Sequence, residues 1–156
     1  MNAMKQSAAP TCLAIKIVTG CVLALNAGLY IAALYRPVFP WVGLFLSVVV
    51  LGCYLFWTPV EYERTGDELI VSFRVGHVRY RPVVKCSKLE GRLGFGLRLC
   101  GNGGLFAGSG IFWSRKFGVF RAYVTTSKPE TMVIVETAKT KILISPVDPM
   151  AWLSAK

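Results

Sequence analysis

This chain of 156 residues is short of the side chains that do chemistry. It has one histidine, His77, and only eight carboxylates. A Ser-His-Asp set cannot be credibly assembled around that single imidazole, whose place beside Gly76 reads as a solvated turn. Cys86 and Cys100 lack C-x-x-C spacing, and with one histidine they make a poor zinc set. Cys12, Cys21 and Cys53 sit inside apolar runs as small packing residues. No carboxylate pair is set apart for acid–base work. The stretch GRLGFGLRLCGNGGLFAGSG, Gly91 to Gly110, has eight glycines in twenty residues. It contains neither G-x-x-x-x-G-K-[ST] nor G-x-G-x-x-G between a strand and a helix, so a phosphate-cradling loop is not expected there. No catalytic residue, cofactor or metal is therefore expected, and the chain is read as a non-enzyme.

Charge of one sign is also missing from the first third. Before Pro59 there are three basic residues, Lys5, Lys16 and Arg36, and no acidic ones; after it there are fifteen basic and eight acidic residues. The apolar excess, 54% of the chain overall, is concentrated in that same first third. Two parts of different physical kind meet near Pro59.

The first part holds two apolar runs, Cys12 to Tyr35 and Trp41 to Trp57. About 20 helical residues cross a hydrocarbon core of about 30 Å, so the first run suffices and the second is at the short end. Lys16 lies near enough to the start to snorkel, and Tyr30, Tyr35, Trp41, Tyr54 and Trp57 cluster towards the run ends as interfacial aromatics do. Arg36-Pro37 stops the first helix, and Pro40 fits the first turn of the second. The expectation is a two-helix transmembrane hairpin over residues 12–58, after an N-terminal cytoplasmic tail of residues 1–11. A cleaved signal peptide ending near Ala33 is disfavoured by the length of its apolar region and by the second run that follows. A pair of buried soluble helices is the remaining alternative. Gly20, Ala24 and Gly28 form a small-residue stripe for helix packing, either within the hairpin or in a homo-oligomer. Lys5 and Lys16 before the helices, and Arg64 and Arg74 after them, outnumber Arg36 in the turn. Both termini are therefore expected in the cytoplasm, at a bacterial inner membrane.

From Pro59 the pattern changes to period two. GDELIVSFRVG sets Leu69, Val71, Phe73 and Val75 against Ile70, Ser72 and Arg74, with Gly66-Asp67 as a hairpin turn after Glu61–Arg64. HVRYRPVVK and KFGVFRAYVTT alternate likewise. TMVIVET and TKILISP form a second hairpin about Ala138-Lys139. Apolar residues interleave with the glycines of Gly91–Gly110, so that stretch reads as bent β-structure with GNGG (Gly101 to Gly104) as its turn. Asp148 followed by Pro149 starts a closing helix.

These residues resemble the bacterial pleckstrin-homology-like (PH-like) family of the membrane-anchored kind. The carrying segments are the strand pair Tyr62–Arg74, the glycine-rich middle, FRAYVTT (Phe120–Thr126), VIVET (Val133–Thr137) and ILISPVDPMAWL (Ile142–Leu153). The resemblance covers residues 59–156. It implies a seven-stranded, bent antiparallel β-sandwich or partial barrel with a C-terminal helix, so the whole chain, transmembrane hairpin first, is expected to be an α+β, mainly β fold. The leading expectation is a non-enzymatic, membrane-anchored scaffold or interaction domain. Eukaryotic proteins of this fold often bind phosphoinositides, but a fold by itself assigns no ligand.

The basic residues are the remaining functional lead. Arg74, Arg79, Arg81, Arg115 and Lys116 are the candidates for an anionic-lipid or phosphorylated ligand, set against plain positive-inside topology. The expected partners are the lipid bilayer and a protein partner or second copy through the helices. An accessory subunit of a membrane transporter is the third reading. Nucleic acid is not expected, because no aromatics interleave with the basics in a recognisable module.

Overall fold

The computed structural model describes residues 4–35, 39–89, 91, 96–103 and 105–154. The expected helix stop at Arg36-Pro37, and Phe95 and Gly104 of the glycine-rich stretch, lie outside the described residues. The chain opens with strand β1 (Met4–Ser7), then two apolar helices, α1 (Leu13–Ala32) and α2 (Phe39–Phe56), then β2 (Pro59–Thr65). Strands β3 (Glu68–Phe73), β4 (His77–Tyr80), β5 (Val83–Lys88), β6 (Gly96–Gly103), β7 (Gly108–Ser114) and β8 (Gly118–Val124) follow. A 3-10 turn leads to β9 (Val133–Thr137) and β10 (Lys141–Ile144), and α3 (Pro149–Ser154) closes the chain.

The strands make two sheets, β1-β2-β3-β4 and β5-β9-β10-β8-β7-β6. The first is antiparallel throughout, and its β2–β3 hairpin turns on Gly66-Asp67 with Gly66 at φ 60°. The alternating segment HVRYRPVVK forms two strands. Pro82, which has no N–H to give a ladder, separates β4 in one sheet from β5 in the other. The second sheet departs from the antiparallel arrangement the resemblance implied, because β8 and β10 pair in parallel. The segment from Thr125 to Met132 carries the chain past β8, and the β9–β10 hairpin then folds β10 back between β9 and β8. The described residues contain ten strands where the family resemblance implied seven.

The core lies between the sheets. Tyr62, Leu69 and Val71 meet Tyr123, Val133, Val135, Ile142 and Ile144 there, with Trp152 of α3 inserted among them. The other face of the six-stranded sheet buries Phe120, Ala122, Met132, Ile134 and Leu143. Helix α3 has only six residues, yet it is firmly started. Asp148 Oδ1 accepts from the N–H groups of Met150 and Ala151, both at 3.0 Å, and Pro149 occupies the first helical position.

Residues 4–12 are not a free tail. β1 pairs along β2, and Ala8 N–H donates to Val60 C=O while Ala9 N–H donates to Ser145 C=O. Thr125 Oγ1 donates to Ala9 C=O, and Cys12 N–H donates to Thr125 C=O. Ser145, buried at the end of β10, accepts from Thr125 N–H at 3.0 Å. The N-terminal segment thus stitches the two sheets together. The helical pair is an excursion between two neighbouring strands of one sheet. Removing residues 1–9 is expected to cost at least about 3 kcal/mol, since several buried donors and acceptors lose partners at ~1–3 kcal/mol each. Thermal unfolding of the shortened chain checks it, and an unchanged midpoint would show the stitching to be idle.

Helices α1 and α2 pack side by side. Asn26 Nδ2 donates to Ser47 Oγ at 2.8 Å, Tyr30 Oη lies 3.1 Å from the same oxygen, and the Tyr30 ring rests on Gly43. The small-residue stripe does not make this contact. Gly20, Ala24 and Gly28 are exposed, and a Cβ at Gly20 or Gly28 would meet nothing within 4 Å. By length and composition α1 can cross a membrane, and the apolar part of α2, Pro40–Phe56, is shorter. Leu13, Ile17, Leu25, Ile31, Trp41 and Phe45 are all exposed on the two helices.

Candidate functional site

The glycine-rich stretch sets up the most distinctive geometry in the chain. Gly101 on β6 pairs with Gly110 on β7. A Cβ at Gly110 would lie 2.2 Å from Cys100 C=O, and one at Gly101 would lie 2.4 Å from Ser109 C=O. Only two glycines permit that backbone approach. GNGG is not the turn: Gly101 to Gly103 belong to β6, and the turn follows them. Buried Asn102 braces it, accepting from Leu105 N–H at 3.0 Å and donating to Leu105 C=O.

The tip of this hairpin reaches the helices. Phe106 N–H donates to Thr19 Oγ1 of α1 at 3.0 Å, and the Phe106 ring meets Tyr54 of α2 edge-on at 5.0 Å. These contacts hold Phe106 at φ 63°, a region that residues other than glycine seldom occupy. Arg74, just past β3, lays its guanidinium 4.3 Å from the centre of the Tyr54 ring. Lys16, Thr19, Tyr54, Arg74 and Phe106 line a cavity of about 350 Å³ at the junction of helices and sheets. A second cavity of about 280 Å³ shares Tyr54 and Phe106 and continues along the helices past Val50 and Leu51.

The five basic residues singled out from the sequence are dispersed. Arg74 is at this junction. Arg79 is exposed on β4, opposite Ile70. Arg81 is tied to buried Glu68, and their hydrogen bond holds the Glu68 carboxyl below the usual carboxylate range. Arg115 and Lys116 occupy the β7–β8 turn, at the other end of β7 from Phe106, about 20 Å away at strand rise. The Lys116 ammonium lies 5.3 Å from the centre of the Phe117 ring.

Other polar groups serve the core. Tyr62 Oη donates to Tyr123 C=O at 2.7 Å, and burial pushes its pKa up to about 12. Tyr80 Oη sits 2.6 Å from Tyr123 Oη, and burial raises its pKa too. Both are neutral hydroxyls near pH 7, not activated nucleophiles. His77 is exposed beside Gly76, which has φ 88°. Among the described residues no three of His, Cys, Asp or Glu are grouped to hold a metal.

A family model for the bacterial PH domain matches residues 60–155. The chain belongs to the bacterial PH domain family. No curated protein and no solved structure matches it. In this bacterial PH domain the matched segment begins in β2 and ends beyond α3, so β1 and both apolar helices are additions to it. PH-like domains are interaction modules, generally without catalysis. The junction cavity draws Arg74 and Phe106 from the matched segment, and Lys16, Thr19 and Tyr54 from the helices. Sequence reasoning had Arg74 as a candidate and Lys16 as a snorkelling charge. Nothing in sequence spacing joined them to Thr19 and Phe106, which lie 87 positions apart.

Proposed function

We propose that the protein is a membrane-anchored interaction domain without catalytic activity. In this reading α1 and α2 are a transmembrane hairpin that holds the bacterial PH domain against the cytoplasmic face of an inner membrane. The observation that carries it is the exposed apolar surface of both helices. Soluble monomers rarely leave apolar patches larger than a few hundred Å² uncovered. Pairing of β1 with β2 supports the same reading, because it returns both flanks of the helical pair to one side. Lys5, Lys16 and Arg74 on that side support a cytoplasmic orientation. A fixed distance from the bilayer leaves the domain surface free to recruit its partner.

The test is membrane fractionation combined with thiol labelling of the full chain. The protein is expected to remain in the pellet after alkaline carbonate extraction. Cys100, exposed on β6, is expected to react with an impermeant maleimide only once cells are opened. Release by carbonate would end the membrane reading, and labelling of Cys100 in intact cells would reverse the orientation.

A further inference from the structure

We propose that the junction cavity binds the headgroup of an anionic phospholipid, with Lys16 and Arg74 on its phosphate. The inference rests on the reading that α1 and α2 lie in a bilayer. It concerns a site built mostly from residues outside the family's matched segment, so it is a property of this chain and not of the fold.

Charge is the first argument. Lys5, Arg81 and Lys141 each have a carboxylate partner, Glu61, Glu68 and Glu136. Lys16 and Arg74 face one cavity, and among the described residues no carboxylate pairs with either. Two like charges gathered about one space suit an anion.

Hydrogen bonding is the second argument. Thr19 Oγ1 already accepts from Phe106 N–H, which leaves its own proton free to be donated to a phosphate oxygen. Thr11 adds a second hydroxyl at the rim. The site is also held in place before any ligand arrives. Arg74 is stacked on Tyr54, and Tyr54 is in turn packed against Phe106.

Shape and depth make the third argument. Lys16 stands in the first turn of α1 and Tyr54 in the last turn of α2, which is headgroup level for spanning helices. Tyr54 and Phe106 are shared with the second cavity, which Val50, Leu51 and the Phe106 ring wall together with Asn26 and Ser47, two polar side chains hydrogen-bonded to each other. A niche with two cations and several hydroxyls beside a mainly apolar groove fits one molecule with a charged head and an acyl chain. A free phosphate or a sugar phosphate would leave the groove empty.

The experiment uses the full chain in phosphatidylcholine nanodiscs that carry spin-labelled phosphatidylglycerol or spin-labelled phosphatidylcholine as a minority lipid. Electron spin resonance reads the motionally restricted fraction of each. The wild type is expected to restrict phosphatidylglycerol over phosphatidylcholine by roughly tenfold or more, from two cations at the usual worth of a basic side chain beside an anionic surface. Lys16→Gln with Arg74→Gln is expected to reduce that preference to within about twofold. Gly20→Leu keeps both cations and adds bulk at the cavity wall, where a Cβ meets nothing within 4 Å; it is expected to lose the preference too. Arg79→Gln with Arg115→Gln should leave it intact, and excess inorganic phosphate should not displace the lipid. An equal restriction of both lipids by the wild type overturns the site, as does an unchanged preference in the Lys16/Arg74 or Gly20 variant, or displacement by inorganic phosphate. Failure of the wild type to enter nanodiscs at all overturns the membrane reading and the site with it.

Discussion

Trp152→Ala is expected to destabilise the domain by about 3–5 kcal/mol, the usual cost of removing a large buried aromatic side chain. The indole is fully buried, and it meets Tyr62 edge-on at 6.4 Å between ring centres. It is the only residue of α3 that is buried, and Leu153 packs beside it, partly buried, against the same core. Loss of the indole opens the core between the sheets at the point where β2, β9 and β10 converge on it. A domain of this size is stable by only about 5–15 kcal/mol, so the change takes a large share. At about 4–8 °C per kcal/mol the unfolding midpoint should fall by more than about 12 °C. Trp152→Phe deletes the indole Nε1–H, which is buried without a partner, along with part of the ring, and is expected to cost less. Equal midpoints for the alanine variant and the wild type would show that α3 does not hold the core.

Gly110→Ala is expected to cost about 3 kcal/mol or more, combining overpacking against a neighbouring strand with a backbone angle that suits glycine. Its φ is 145°, and the added carbon would lie 2.2 Å from Cys100 C=O and 2.7 Å from Gly101 Cα. Those obstacles are main chain and cannot rotate aside. β6 must move off β7, taking the Phe106 tip from the helices. Gly76→Ala separates the two causes. It has φ 88° with nothing within 4 Å of its Cβ, so strain alone applies, at about 1 kcal/mol. Gly20→Ala, in a helix with open space beside it, should be neutral or slightly stabilising. Thermal unfolding ranks the three, and hydrogen exchange at β6 and β7 locates the damage. A Gly110 variant no worse than the Gly76 variant would mean that the strands do not approach so closely.

Local pattern was legible where it is a property of neighbouring residues. The Gly66-Asp67 and Ala138-Lys139 hairpins follow from period two on either side of a turn. Asp148-Pro149 starts α3 because a cap is made within three residues. The family resemblance over Pro59–Lys156 stands with the bacterial PH domain match over residues 60–155. What failed had a non-local cause. Residues 4–7 carry no strong alternation, and they become a strand because β2 offers them an edge. β10 runs parallel to β8 because a hairpin folds in from a distance, which no alternation records. Gly101 to Gly103 look like a turn by composition, yet the pairing of Gly101 with Gly110 places them in a ladder.

The sequence by itself determined the change of composition at Pro59, the apolar helices, the strand-rich remainder and the sparsity of catalytic side chains. Each is set by composition or by short periodicity, and so survives without knowledge of what packs on what. Only the tertiary structure decided that β1 closes the sheets and that the helices rise from between two strands. It also decided which of the basic residues share a space. Arg79 and Arg81 are separated from Arg74 by the turn of a hairpin and the pull of Glu68, while Lys16, distant in sequence, lines the same cavity as Arg74. That grouping depends on the approach of two glycine backbones that lets the Phe106 tip reach α1 and α2, and such an approach is a relation between strands rather than a property of either one.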